Sequence, residues 1–354
     1  MMRPISISLF IVVAAAIVAI TVPAMWTFVQ TPREASIMVE IDQLQTAFHT
    51  YKEKRTEYPP CLCETDAERR KLRFMRHLSA AYTKSDYGTT AEDYDKLRSA
   101  LMSDDPNDHT KQPYNFRDAE GNLQPLDLDT LDPAEAMVFW LGGFPTPYNV
   151  QTKTPVSNRR LLGFHRDLDT PLKREDFFLE GSNPMRFRTD LLYQFDDTRF
   201  VDNDHDGWLE YVPIAQRQGE VDASFVYFDS ACYQASTGDE ALVGTVFYRR
   251  DAELAAKIGQ ISPFAETFDP ARPQATKWHK PESFQIVCGG QDHLFGPPAG
   301  EAAGARRIAL WPAGITYESP NGQNFSPREL ADEEEDNLSN LDNVPLGTAM
   351  KRAK

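Results

Sequence analysis

The stretch IDQLQTAFHTYKEKRTEYPP, Ile41–Pro60, reads as the end of a helix with one apolar side. Starting at Ile37, the residues Ile41, Leu44, Phe48 and Tyr51 follow at steps of four, three, four and three. A turn of about 3.6 residues collects those positions on one face, with Glu40, Asp42, Gln45, Thr46 and Lys52 elsewhere around it. Tyr58-Pro59-Pro60 stops the helix, because proline has no N–H to donate and disfavours helix in the residue before it. A stripe of this kind needs a surface to bury against, and the rest of the chain must supply it.

Upstream, no residue from Pro4 to Pro32 carries a charge, in the run ISISLFIVVAAAIVAITVPAMWTFVQT. About 20 apolar residues suffice for a helix to cross the hydrocarbon of a bilayer. A helix also satisfies every backbone polar group internally, as lipid requires. One reading is a transmembrane segment over residues 1–33 that continues into an amphipathic stem over 34–60. The other is a cleaved signal peptide, with Met1–Arg3 as basic start, Leu9–Ile20 as apolar region and Val22-Pro23-Ala24 as small-residue cleavage site. The stripe beyond Arg33 supports the first. Arg3 precedes the run, whereas Arg33 is offset by Glu34, Glu40 and Asp42. That asymmetry puts the N-terminus in the cytoplasm and the globular part outside.

The chain has 354 residues and a net charge of −16, from 37 basic and 53 acidic side chains. An acidic surface repels nucleic acid and attracts divalent cations, so nucleic-acid partners are excluded. Four cysteines, Cys61, Cys63, Cys232 and Cys288, allow three pairings outside the cytoplasm, or remain as thiols. Cys61 and Cys63 are too close to favour each other, so each looks to Cys232 or Cys288. The lone C-x-C is followed by no second pair at zinc spacing.

Residues 61–150 read as a helical insertion. Glu64–Ser85 and Thr90–Ser103 are polar helices with narrow stripes at Leu72, Met75 and Leu78, and at Tyr94, Leu97 and Leu101. In LDPAEAMVFWLGGF, Asp132 is an N-cap, Pro133 opens the helix, Glu135 completes the capping pattern and Gly142-Gly143 ends it. Met137 to Leu141 are apolar all round, which predicts a buried helix. From Asp190 the chain turns to short segments, LLYQF, RFVD, WLEYV, SFVYFD, GTVFY and SFQIV, rich in aromatic and β-branched residues. Residues 151–330 are therefore expected to form a β-rich head, followed by an acidic tail over 331–354. The fold class is α+β, with the N-terminal helix packed on an antiparallel sheet.

DNDHDGWLE is the best local motif. Asp202, Asp204 and Asp206 alternate, Gly207 supplies the sharp turn, and Trp208 and Glu210 complete the candidate ligand set. Alternate carboxylates in a tight loop converge on one centre, which suits a hard cation, calcium before magnesium. The twelfth position of an EF-hand loop falls on Pro213 rather than glutamate, leaving Glu210 to supply the late carboxylate. The seven histidines are scattered, with no H-E-x-x-H spacing, nucleophile elbow, phosphate-cradling loop or dinucleotide fingerprint. The expectation is a protein that is not an enzyme. The competing reading is an exported soluble enzyme or carbohydrate-binding protein with a calcium loop.

Three features together resemble the type IV pilin and type II secretion pseudopilin superfamily, in particular its major-pseudopilin-like group. They are the apolar helix with the late Pro23 and its extension to Tyr58-Pro59, the segment FQIVCGGQDHLFG (Phe284–Gly296), and the acidic EEEDNLSNLDN (Glu333–Asn343). The chain departs from that pattern where Ser6 stands at the position of the family's glutamate and no glycine precedes Met2. The resemblance implies a single-pass protein of the bacterial inner membrane with a periplasmic head, and other pseudopilin or secretion-system subunits as partners. It also implies a calcium ion on the loop after the late strand, held here by Asp292, Glu335 and Asp336.

Overall fold

The structure is a computed structural model. It describes residues 32–64, 66–82, 87–102, 114–118, 121–149, 154–155, 160–164, 192–214, 223–235, 257–290, 292–296, 306–319, 324–329, 337–341 and 345. The apolar run, the segment GTVFY and the tail residues Glu335 and Asp336 lie outside the described residues. Among the described residues no helix is long and apolar enough to cross a membrane.

The first described helix, α1, covers residues 32–55. Its stripe is buried as the spacing predicts: Ile41, Leu44 and Phe48 are fully covered, and Ile37 and Tyr51 nearly so. Ile37, Ile41, Leu44 and Phe48 share a core with an antiparallel sheet of three strands, in the order Leu338–Ser339, Phe284–Cys288, Val226–Asp229, whereas Tyr51 turns to Trp140 and His77. Phe48 stacks on Tyr227 with ring centroids 4.1 Å apart and leans on Phe284 at 5.1 Å. The Tyr-Pro-Pro terminator is clamped as well. Tyr227 Oη donates to the Pro59 carbonyl at 2.8 Å, and Trp140 Nε1 to the Pro60 carbonyl at 2.9 Å.

The predicted helices of the insertion are present as α2 (Ala67–Ala81), α3 (Ala91–Met102) and α4 (Pro133–Gly142). At α4 the capping box is complete, Asp132 accepting from the backbone of Ala134 and Glu135 while Glu135 accepts from that of Asp132. Gly143 closes the helix at φ 88°, and a Cβ there would sit 2.2 Å from the Gly163 carbonyl, so only glycine fits. α4 is buried on every side because it stands between two cores. Ala134, Met137, Val138 and Leu141 face the core under α1 and the sheet. Ala136, Phe139 and Trp140, with Tyr51 from α1, join Phe74 of α2 and Tyr94, Leu97 and Leu101 of α3. The insertion is thus fastened to the end of the stem through α4 and Tyr51.

The head is less uniform than its sequence suggests. A second sheet has five strands, in the order Ser326–Glu329, Ile315–Ser319, Arg306–Leu310, Phe264–Thr267, Lys277–Trp278. Its Arg306–Leu310 and Phe264–Thr267 pair is parallel, so this sheet is mixed. Gln285, fully buried in the central strand, ties the sheets together: its carboxamide accepts from Phe264 N–H at 2.7 Å and donates to the Phe264 carbonyl at 3.0 Å. In LLYQF, residues 192–195 make no strand. Their aromatic rings pack sideways on Tyr211 instead, Phe195 at 4.8 Å and Tyr193 at 6.2 Å. Aromatic enrichment there reports side-chain packing rather than ladder formation. Cys63 pairs with Cys232, which lies in the short helix α5 (Ser230–Ala235).

Candidate functional site

The acidic loop is the turn of a hairpin. Phe200–Val201 and Glu210–Tyr211 pair antiparallel, and residues 202–209 connect them. Asp202 organises the turn, its two oxygens accepting from the N–H groups of Asp206 at 3.1 Å and Gly207 at 3.2 Å. Asp206 in turn accepts from Trp208 N–H at 3.0 Å. His205 and Gly207 take φ 60° and 91°, and a Cβ on Gly207 would meet the Phe116 ring at 2.3 Å. The glycine is needed for its conformation and for that close approach.

This geometry brings Asp202, Asp204 and Asp206 together, each with an oxygen within 4.8 Å of the others. Burial, and then the facing Asp206, push the Asp202 carboxyl up to about 7 despite its two N–H donors. Carboxylates crowded in a partly buried loop resist ionisation together, and a cation relieves that resistance. An all-oxygen donor set suits a hard cation by ligand type.

Glu210 is placed differently. It is fully buried and points inward, where Asn203 Nδ2 donates to it at 3.0 Å and Ser224 Oγ also donates. It braces the hairpin and does not join the three aspartates. Trp208 is buried too, wedged beside Phe139 at 5.6 Å, with its indole N–H donating to the Asp127 carbonyl at 2.8 Å. That anchor seats the loop on the N-terminus of α4.

The seating gives the site two further carboxylates. Asp132, Glu135 and Asp204 also have oxygens within 4.8 Å of one another, so Asp204 is common to two acidic groups. From sequence Asp132 and Glu135 are simply a capping box, and they are that. Nothing in their spacing announces that a loop some seventy residues later folds onto them.

The second candidate region is only partly described. Asp292 accepts from Leu294 N–H at 2.9 Å and shapes the turn after the central strand. Asn337, which follows Asp336, is buried and donates to the Phe295 carbonyl at 3.1 Å, while its own side-chain carbonyl oxygen accepts no hydrogen bond from the described residues. The two late segments therefore do meet. Glu335 and Asp336 themselves lie outside the described residues.

The fold and site define an α+β protein with a helix-backed sheet and an acidic hairpin loop. No family model, curated protein or solved structure matches the chain significantly.

Proposed function

We propose that this is a membrane-anchored, pilin-like structural or interaction subunit of a bacterial secretion or pilus system, with a head stabilised by calcium. Residues 1–33 hold it in the inner membrane with the N-terminus cytoplasmic, and the head meets other subunits in the periplasm. The role is one of assembly rather than catalysis.

The observation that carries the reading is the way α1 is used. In sequence its stripe begins a few residues after an uncharged run, and it shares a core with strands contributed by the two late segments, Phe284–Cys288 and Leu338–Ser339. Support for the calcium part comes from the convergence of Asp202, Asp204 and Asp206, with the buried Asn337 oxygen as a donor beside the late loop.

Carbonate washing of membranes tests the anchor. The protein should stay in the pellet, and soluble recovery of a chain starting at Met25 overturns it. Thermal unfolding with and without a chelator tests the ion. Chelation should lower the Tm of the wild type and leave Asp204→Ala unmoved. An unchanged wild-type melt removes calcium from the reading.

A further inference from the structure

We infer that Cys61, Cys63 and Cys232 form one thiol–disulfide exchange set, in which Cys61 takes Cys63 from Cys232 and turns a long-range cross-link into a local one. The spacing of Cys61 and Cys63 disfavours their pairing in a free chain, but the fold brings them together: the three sulfur atoms lie within 4.8 Å of one another, and Cys61 Sγ is 2.8 Å from Cys63 Sγ. Leu62 between them takes φ 63°, a left-handed turn that leucine rarely adopts, and so tightens the C-x-C segment.

One buried carboxylate holds the set in place. Asp229 ends Val226–Asp229, an edge strand of the three-stranded sheet, and is 1% exposed. Its Oδ2 accepts from Cys61 N–H at 2.8 Å and its Oδ1 from Cys232 N–H at 3.1 Å. Arg73 of α2 donates to Asp229 at 2.7 Å and also bonds Glu64. The backbones carrying the attacking thiol and the departing sulfur are therefore fixed by the same side chain.

The step balances without any outside oxidant. The Cys61 thiolate attacks Cys63 Sγ, the Cys61–Cys63 bond forms and the Cys63–Cys232 bond breaks. The electron pair leaves on Cys232 Sγ, which takes up the proton that Cys61 gave away. Burial, then the charge of Asp229, hold the Cys61 thiol well above its ordinary value, while Arg73 acts the other way. The exchange is therefore slow in the closed protein. Its effect is mechanical. Cys63 and Cys232 are 169 residues apart, whereas Cys61 and Cys63 are two apart. After the swap the protein is as oxidised as before, yet the constraint between the stem's end and α5 is gone.

The test uses the oxidised full chain, incubated at mildly alkaline pH, quenched with acid, alkylated and digested with trypsin without reduction. Tryptic peptide 56–69 carries Cys61 and Cys63, and 218–249 carries Cys232. Exchange makes 56–69 appear unlinked and lighter by one pair of hydrogens, with Cys232 alkylated, while the cross-linked pair falls by the same amount. Cys61→Ser should keep the cross-linked pair throughout. Cys63→Ser, oxidised under mild conditions, should form a Cys61–Cys232 cross-link in its place. An undiminished cross-link in the wild type overturns the inference. So does a Cys63→Ser protein with both remaining thiols alkylated, or a product that recruits Cys288, which marks scrambling through unfolded chains.

Discussion

Two clusters of charge in this molecule, one buried and one partly buried, are built on opposite plans. Around Cys61 the chain supplies both signs: Arg73 sits between Glu64 and Asp229, each ion 9% exposed or less. Burial, the largest single influence, works against the guanidinium charge, but Asp229's charge and hydrogen bond, with smaller help from Cys61 and Tyr227, hold Arg73 above its ordinary value. Around Asp204 the hairpin loop supplies one sign, since residues 202–210 hold four carboxylates and neither lysine nor arginine. The first cluster is completed by the fold. The second, on the reading above, is completed by an ion, so its contribution to stability depends on what is dissolved around it.

The largest expected break of this contrast is Arg73→Met. It leaves Glu64 and Asp229 buried without their shared cation and should cost roughly 3–5 kcal/mol in urea unfolding, with or without calcium. Asp202→Asn comes next and should split by condition. Without calcium the relief of like-charge crowding is offset by the loss of one of the two acceptors that hold the turn's N–H groups, so stability changes little. With calcium at about 100 times its Kd it forfeits roughly 2.7 kcal/mol of ion-linked stabilisation. A loss of equal size in both conditions ends the claim that the two clusters differ in kind.

Asp132→Ala removes the α4 cap and should cost about 1–2 kcal/mol by the same assay. If Asp132 also helps the ion, its calcium-induced Tm shift shrinks as well. The smallest effect sharpens the comparison from the side of pH. His77 is buried against Tyr51, with Nδ1 3.2 Å from Tyr51 Oη. Burial, then Arg73 and Arg76, lower it from 6.5 to about 3. Because the unfolded chain takes up a proton that the folded chain refuses, this stability is complete above 6.5 and is lost as pH falls toward 3. The first pH unit below 6.5 should remove about 1 kcal/mol from the wild type, and His77→Gln should show a shallower loss. Equal slopes would mean that His77 protonates without cost.

Much of the helical architecture was legible in the residues. The stripe from Ile37 to Tyr51 is buried where the spacing put it, and LDPAEAMVFWLGGF forms the capped, fully buried helix its composition implies. These succeed because helix periodicity and capping are local and read out within a turn or two. Glu40 shows where that logic stops. It stands outside the apolar stripe, yet it is 6% exposed and paired with Arg199, 2.6 Å from Nη1. A partner 159 positions away cannot be inferred from helix spacing.

The candidate site divides the same way. Asp202, Asp204, Asp206 and Gly207 were readable as one loop because alternation and a turn glycine are local signals. Glu210 looked like a late ligand, but the hairpin ladder turns its side chain inward to Asn203 and Ser224. Asp132 and Glu135 were visible only as a cap.

By itself the sequence determined the amphipathic α1, the capped α4 and the acidic turn, since each depends on residues within a few positions of one another. Only the tertiary structure decided that the acidic turn rests on the α4 cap, that Cys63 rather than Cys61 bonds Cys232, and that the second sheet is mixed. Those outcomes depend on contacts between distant segments, and chain folding, not local spacing, chooses which segments meet.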